Sequence, residues 1–237
     1  MEAAHYQLWE RCRAFVGEVC ADRDASHGLS HMEKVTENAV LLLHMQHGPL
    51  TDLPLAMSRV IVVAMLHDVA DHKYDAAGTL VQRVWDFVAA EAVAVAAAAE
   101  NVCDASRHAV TAMEAVSYSK EKSRGRRWFE TELPTDWVLV RDIVSDADKL
   151  EAIGDEGMRR CLLYTSQRLL AKNGQVWDAV LQQRCLEEVR EHFEEKLSLL
   201  ATEFIVSTAG KFLAGPRHEE MVQILHQWEQ HGLPALS

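Results

Sequence analysis

Proline and glycine are scarce, 5 and 11 in 237 residues, and apolar residues rarely alternate with polar ones. That argues against sandwiches and barrels, which need frequent turn formers and a period of two. Cysteine is also sparse. Cys12, Cys20, Cys103, Cys161 and Cys185 are odd in number and scattered, with no Cys-x-x-Cys pair. They form neither a disulfide frame nor a zinc knuckle and read as reduced thiols of an intracellular protein. Basic charge is in deficit: 24 Lys and Arg stand against 36 Asp and Glu, a net charge of −12. A nucleic-acid polymer or an anionic membrane as partner is therefore excluded, since both need a basic surface. Long apolar runs are missing too. The nearest, 89–99, carries Glu91 and is too short to span a bilayer. Met1 to His5 lacks a basic region with an apolar core, so no secretory signal is expected and the location is taken as cytoplasmic.

What is present is an ordinary globular composition, 49% hydrophobic and 25% charged, rich in Ala, Leu and Glu. These favour helix. Leu8, Cys12, Phe15, Val16 and Val19 recur at helical spacing, which predicts a first helix over 3–20. Ser30 is placed to cap a helix over 31–47. Leu53-Pro54 opens a helix with proline in its favoured first turn. Helices follow over 79–90, over the Ala-rich 91–100, from 104 or 106 to 118, over 136–153, and from 157 to about 171. Residues 119–134, rich in Lys and Arg, read as a mobile surface loop. Residues 176–213 read as one long helix or two in tandem, closed by Gly215-Pro216, with a last helix over 218–230. No repeat or Gly/Ser linker interrupts the chain, so one all-α helical bundle over 1–237 is expected.

The stretch that organises the rest is Val60–Asp75. An unbroken apolar run, Val60 to Leu66, passes directly into His67-Asp68, Asp71, His72, Lys73 and Asp75. A helix apolar on all sides is a buried one. Ionisable groups at its end need partners, because an unpaired buried charge costs several kcal/mol. A divalent metal is one such partner, His67 and Asp68 offering a nitrogen and an oxygen ligand. On a continuing helix Asp71 shares their face. Other ligands must come from distant segments. His27 and His31 stand four apart, and Asp146-Ala147-Asp148 supplies two carboxylates. Two residues on a helix are about 200° apart, so both carboxylates do not reach one ion easily, and periodicity leaves the choice between them open.

Three blocks carry a resemblance: Ser-His-Gly-Leu-Ser-His-Met-Glu-Lys-Val at 26–35, Leu-His-Asp-Val-Ala-Asp-His-Lys-Tyr at 66–74, and Asp-Ala-Asp-Lys-Leu-Glu-Ala-Ile-Gly at 146–154. In that order they are similar to the His…His-Asp…Asp signature of the HD-domain phosphohydrolase superfamily, in its small stand-alone bacterial-type form. The 192–221 segment is similar to that group's C-terminal helices. The resemblance implies a metal core over about 26–155, with C-terminal helices over about 156–232 packed on it. It implies one divalent ion (Mn, Mg, Co or Fe) held by His31, His67, Asp68 and Asp148. Asp148 is preferred over Asp146 because the group's last ligand precedes a basic residue and a leucine, as in Asp148-Lys149-Leu150. It further implies Asp71 as catalytic base, and His27, Lys34, Lys73 and Lys149 as substrate-binding residues. The group's usual His-Ser-[Phe/Tyr]-Ser block stands here as Val116-Ser117-Tyr118-Ser119, Val140 replaces a usual Glu, and Gly28 an Asp. A mononuclear site is accordingly expected.

The implied activity is metal-dependent phosphohydrolysis of a small phosphorylated metabolite, a nucleotide first of all, with a triphosphate cleaved to monophosphate and pyrophosphate. A 5′-nucleotidase-like phosphomonoesterase and a non-catalytic nucleotide-binding module are the alternatives. The sequence leaves the oligomeric state open, a homodimer being one assembly it allows. The basic stretch Lys120, Lys122, Arg124, Arg126, Arg127 with Trp128 reads as a charged surface loop, with a phosphate-gripping lid as the second reading.

Overall fold

The computed structural model describes residues 1–23, 27–46, 52–71, 74–75, 78–174 and 176–235. Among them the secondary structure is helical throughout, as composition and periodicity require. Backbone contacts divide the chain into two compact units, Met1–Asp148 and Lys149–Ser237.

In the first unit α1 (Ala3–Val19) and α2 (Leu29–Met45) pack on α3 (Leu53–Leu66). α3 starts where Asp52 accepts from the Leu55 amide at 2.9 Å, with Pro54 in the first turn. From Arg59 to Leu66 every side chain is buried, so the apolar run is the centre of the unit. α4 (Thr79–Ala90), the short α5 (Ala92–Val95) and α6 (Val102–Val116) close around it, α4 and α5 both resting on α6. α8 (Thr135–Ala152) carries Trp137, Ile143, Val144 and Ala147 into the core. In the second unit α9 (Asp155–Lys172), α10 (Ala179–His192) and α11 (Thr208–His231) pack on one another. The link from α8 to α9 needs two glycines. Gly154 has φ 88°, and a Cβ on Gly157 would meet the Ala152 carbonyl oxygen at 2.2 Å.

Several expectations from the sequence are corrected. α2 starts at Leu29 with Gly28 at its cap, ahead of Ser30. Only Ala92–Val95 of the Ala-rich stretch is helical; the chain then turns, which brings Glu100 back toward α3. Residues 119–134 are not a mobile loop. They form α7 (Tyr118–Arg124) and a 3-10 turn at Trp128–Thr131, and the side chain of Glu121 in α7 is buried against Arg141. α10 runs on into wider π-type turns at Phe193–Leu197 and Leu200–Phe204, and Ser207 caps α11 by accepting from the Gly210 amide. Gly215-Pro216 does not end a helix, because α11 passes through it. Pro216 gives the Phe212 carbonyl no amide partner, and the Phe212 side chain is 72% exposed, so this turn faces solvent where water can serve instead.

Candidate metal centre

Three side chains from three helices meet at the end of α3. His31 stands in the first turn of α2, His67 immediately follows α3, and Asp148 lies near the end of α8. Their ligand atoms all lie within 4.8 Å of one another. His31 Nε2 is 3.4 Å from Asp148 Oδ1, and His67 Nε2 is 3.7 Å from the same oxygen. The two imidazole centroids are 5.6 Å apart.

The protonation state of His67 follows from its neighbours. Its Nδ1 is 2.8 Å from the Ala64 carbonyl oxygen, which can only accept, so Nδ1 carries the hydrogen. In the neutral ring Nε2 is then a bare lone pair. That atom is buried and has no hydrogen-bond partner; 3.7 Å from Asp148 is an ion-pair distance, too long for a hydrogen bond. A backbone carbonyl fixing one nitrogen while the other points at a carboxylate and a second imidazole is the arrangement of a metal-ligating histidine. The residues fit a divalent ion: bonds of about 2.1 Å place adjacent ligand atoms roughly 3 Å apart, close to the spacing seen.

Without a metal the cluster holds a proton. Burial opposes the charged form of His67, but Asp148 and the nearby Asp68 outweigh it and raise its pKa to about 9. Burial likewise opposes the Asp148 carboxylate, yet His31 and His67 hold it well below the usual range. The Asp148 side chain remains 30% exposed, so a ligand can reach it.

The other residues singled out in the sequence fall as follows. Asp68 is not part of the three-residue cluster; it lines the cavity beside His67, together with Asp71. Neither stands on a regular helix, because α3 stops at Leu66 and the chain turns through 67–70. Asp146 is fully buried. Lys34 is exposed and Lys149 is 2% exposed. His27 lies against Tyr74, ring centroids 5.7 Å apart. Lys73 lies outside the described residues.

Arg23 escaped the sequence reading. It donates to the carbonyls of Asp68 (2.7 Å) and Val69 and stacks over Tyr74 at 4.3 Å. It thereby bridges two carbonyls of the turn just past the end of α3 and holds the turn that presents His67 and Asp68. An arginine among turn formers at 21–28 gives no sign of this, since its partners are 45 and 46 residues away.

No family model matches the chain, and no curated protein matches it. Solved structures do. The chain has the fold of an HD-superfamily hydrolase from Bacillus thuringiensis, with a TM-score of 0.62 at 21% identity over 95% of this chain and 97% of that one. Bacillus subtilis YpgQ in complex with ADP matches with a TM-score of 0.60 at 20% identity, over 98% and 97%. A Lactobacillus plantarum protein matches at 0.61 and 22% identity, over 97% of each chain.

Proposed function

We propose that this chain is a metal-dependent phosphohydrolase of the HD type, acting on a small phosphorylated metabolite and first of all a nucleoside triphosphate, released as monophosphate and pyrophosphate. The observation that carries the reading is the buried Nε2 of His67, a ligand atom with no hydrogen-bond partner, facing His31 and Asp148. A site built only for structure would close that gap with a hydrogen bond, as buried polar atoms generally do. His31, His67 and Asp148 would hold the ion, and Asp68, beside His67, would complete the set. Two imidazoles favour Fe or Co over Mg, with Mn between them. The ion supplies Lewis-acid chemistry, neutralising phosphate charge and acidifying water.

The chain's own residues supply the rest. Asp71 lines the same cavity as His67 and Asp68. It accepts a proton from the attacking water as that oxygen bonds to the α-phosphorus and the bond to the leaving pyrophosphate breaks. His67, held through Ala64, keeps its Nε2 aimed at the site. The nucleotide preference is supported by the ADP held by Bacillus subtilis YpgQ, whose fold this chain shares.

Purified protein with Mn, Co, Fe or Mg, offered nucleoside tri-, di- and monophosphates, tests the reading. Pyrophosphate release from triphosphates is expected. Release of inorganic phosphate from monophosphates would replace it with the phosphomonoesterase, and metal and nucleotide binding without turnover with a regulatory module. Asp71→Asn is expected to keep metal binding and lose about 10²–10⁴-fold in kcat; unchanged turnover would remove Asp71 as the base.

A further inference from the structure

Beside the His67 cluster lies a cavity of about 400 Å³, wholly within the first unit. Its size is that of a metabolite site. One part of its wall is aliphatic: Leu66 from α3, Val81 and Val84 from α4, Val110 and Met113 from α6. The rest is mostly polar, with the carboxylates of Asp68, Asp71 and Glu114 and the hydroxyls of Ser117, Ser119 and Ser123. Among the described lining residues Lys120 is the one ammonium group. The carboxylates repel an anion; Lys120 attracts one.

Lys120 stands on α7, whose placement is unusually well determined. Arg141 of α8 is fully buried and donates twice to the Ala115 carbonyl near the end of α6, at 2.9 and 2.7 Å. It also donates to Glu121 at 2.8 Å, and Glu121 is 1% exposed. One guanidinium thus ties α6, α7 and α8 at the corner from which Lys120 projects. A buried ion pair stabilises little compared with a well-packed apolar replacement, and its best-attested use is to specify one arrangement. By contrast the ion pair of Lys120 with Glu114, at 3.6 Å and 43% and 47% exposed, is weak, and an incoming anion can displace it.

We propose that Lys120 is a second anionic anchor for the substrate, held in place by the buried Arg141–Glu121 pair as its positioning device. The assignment rests on the phosphohydrolase reading above and deepens it. One phosphoryl group meets the His31, His67 and Asp148 cluster, a second meets Lys120, and the uncharged part of the molecule lies on the aliphatic wall. The substrate class is then a polyphosphate ester, a di- or triphosphate over a monophosphate.

Calorimetric titration of the Mn-loaded full chain with inorganic tripolyphosphate and with inorganic phosphate tests this. Lys120→Ala is expected to weaken tripolyphosphate about tenfold and phosphate less than about twofold, with Lys120→Arg restoring most of the loss. Glu121→Gln is expected to give the same selective loss. If that variant melts early, the paired apolar change Arg141→Met with Glu121→Met removes the device without stranding a charge, and the same selective loss is expected. Unchanged tripolyphosphate affinity in Lys120→Ala overturns the anchor and leaves phosphohydrolysis standing. Equal loss on both probes overturns the two-anchor arrangement. Wild-type protein that binds neither probe overturns this assignment and the phosphohydrolase reading together.

Discussion

Helix α3 carries a charged cluster toward each end, and the two are built on opposite terms. In its first half, Arg59 is 2% exposed and every direction of its guanidinium is answered. It donates to the Val95 carbonyl at 2.8 Å, to Glu100 at 2.7 Å and to Asp136, and it stacks over Trp137 at 4.3 Å. Glu100 in turn accepts from His108 at 2.8 Å, Trp137 at 2.9 Å and the Ala97 amide at 3.1 Å. Burial works against the Glu100 carboxylate, but these donors hold its pKa below the ordinary value. At the other end His67 keeps a buried nitrogen with no hydrogen bond, 3.7 Å from Asp148. Both clusters are buried and charged, so burial alone does not mark a site. Saturation separates them: the complete network ties α3 to the segments around it, and the incomplete one leaves the buried nitrogen on which the metal proposal rests.

Breaking the first cluster should cost the most stability. Arg59→Met strands Glu100, and loss of a buried ion-pair partner costs about 3–5 kcal/mol. Denaturant unfolding is expected to register that loss while metal stoichiometry in the folded fraction stays the same. A variant as stable as wild type would mean the network is not the tie described. The second cluster should respond in the reverse sense. His67→Gln removes a proposed ligand, and metal affinity is expected to fall by at least about a hundredfold, with little loss of stability in metal-free protein at pH above 9. Metal titration followed by calorimetry and melting separates these effects; undiminished affinity would take His67 out of the site.

The third test is pH dependence, and per pH unit its effect is the smallest of the three; it sharpens the contrast because only the unsaturated cluster exchanges a proton for its ligand. His67 in the metal-free fold has a pKa of about 9, above the ordinary 6.5. Its contribution to stability is therefore full below about pH 6.5 and is lost as pH rises through 9. Asp148, depressed, contributes above its ordinary 3.8 and loses that contribution only as pH falls through its lower folded value. If His67 ligates the metal as proposed, the metal displaces its proton, and metal affinity is expected to rise about tenfold per pH unit up to about pH 9 and then level off. Melting temperatures measured with and without metal from pH 6 to 10 should diverge over that window. A constant gap would contradict the proton exchange.

How far the sequence reaches is visible residue by residue. The apolar run 60–66 announces a buried helix, and α3 is one, because an all-round apolar surface has no alternative in water. It does not announce where that helix stops. Asp71 falls on the helical face only if the helix continues, and the helix ends at Leu66, where Arg23 supplies partners for the carbonyls that follow. Residues 119–134 look like solvated charge because their composition is that of a loop. Their order comes from Arg141, 20 residues beyond Glu121, and a local pattern cannot see that pairing.

The choice between Asp146 and Asp148 shows the same limit. Spacing alone places both beside an apolar stripe and says that both do not easily reach one ion. In the fold Asp148 meets the two histidines, and Asp146 is fully buried outside the cluster. The sequence by itself determined the helical class, the buried centre and the residue types able to hold a metal, because these follow from composition, periodicity and donor chemistry within a short window. The tertiary structure alone decided which carboxylate joins which imidazoles, which nitrogen of His67 is left bare, and which lysine faces the cavity. Each of these is a distance between segments far apart in the chain, and only packing sets such distances.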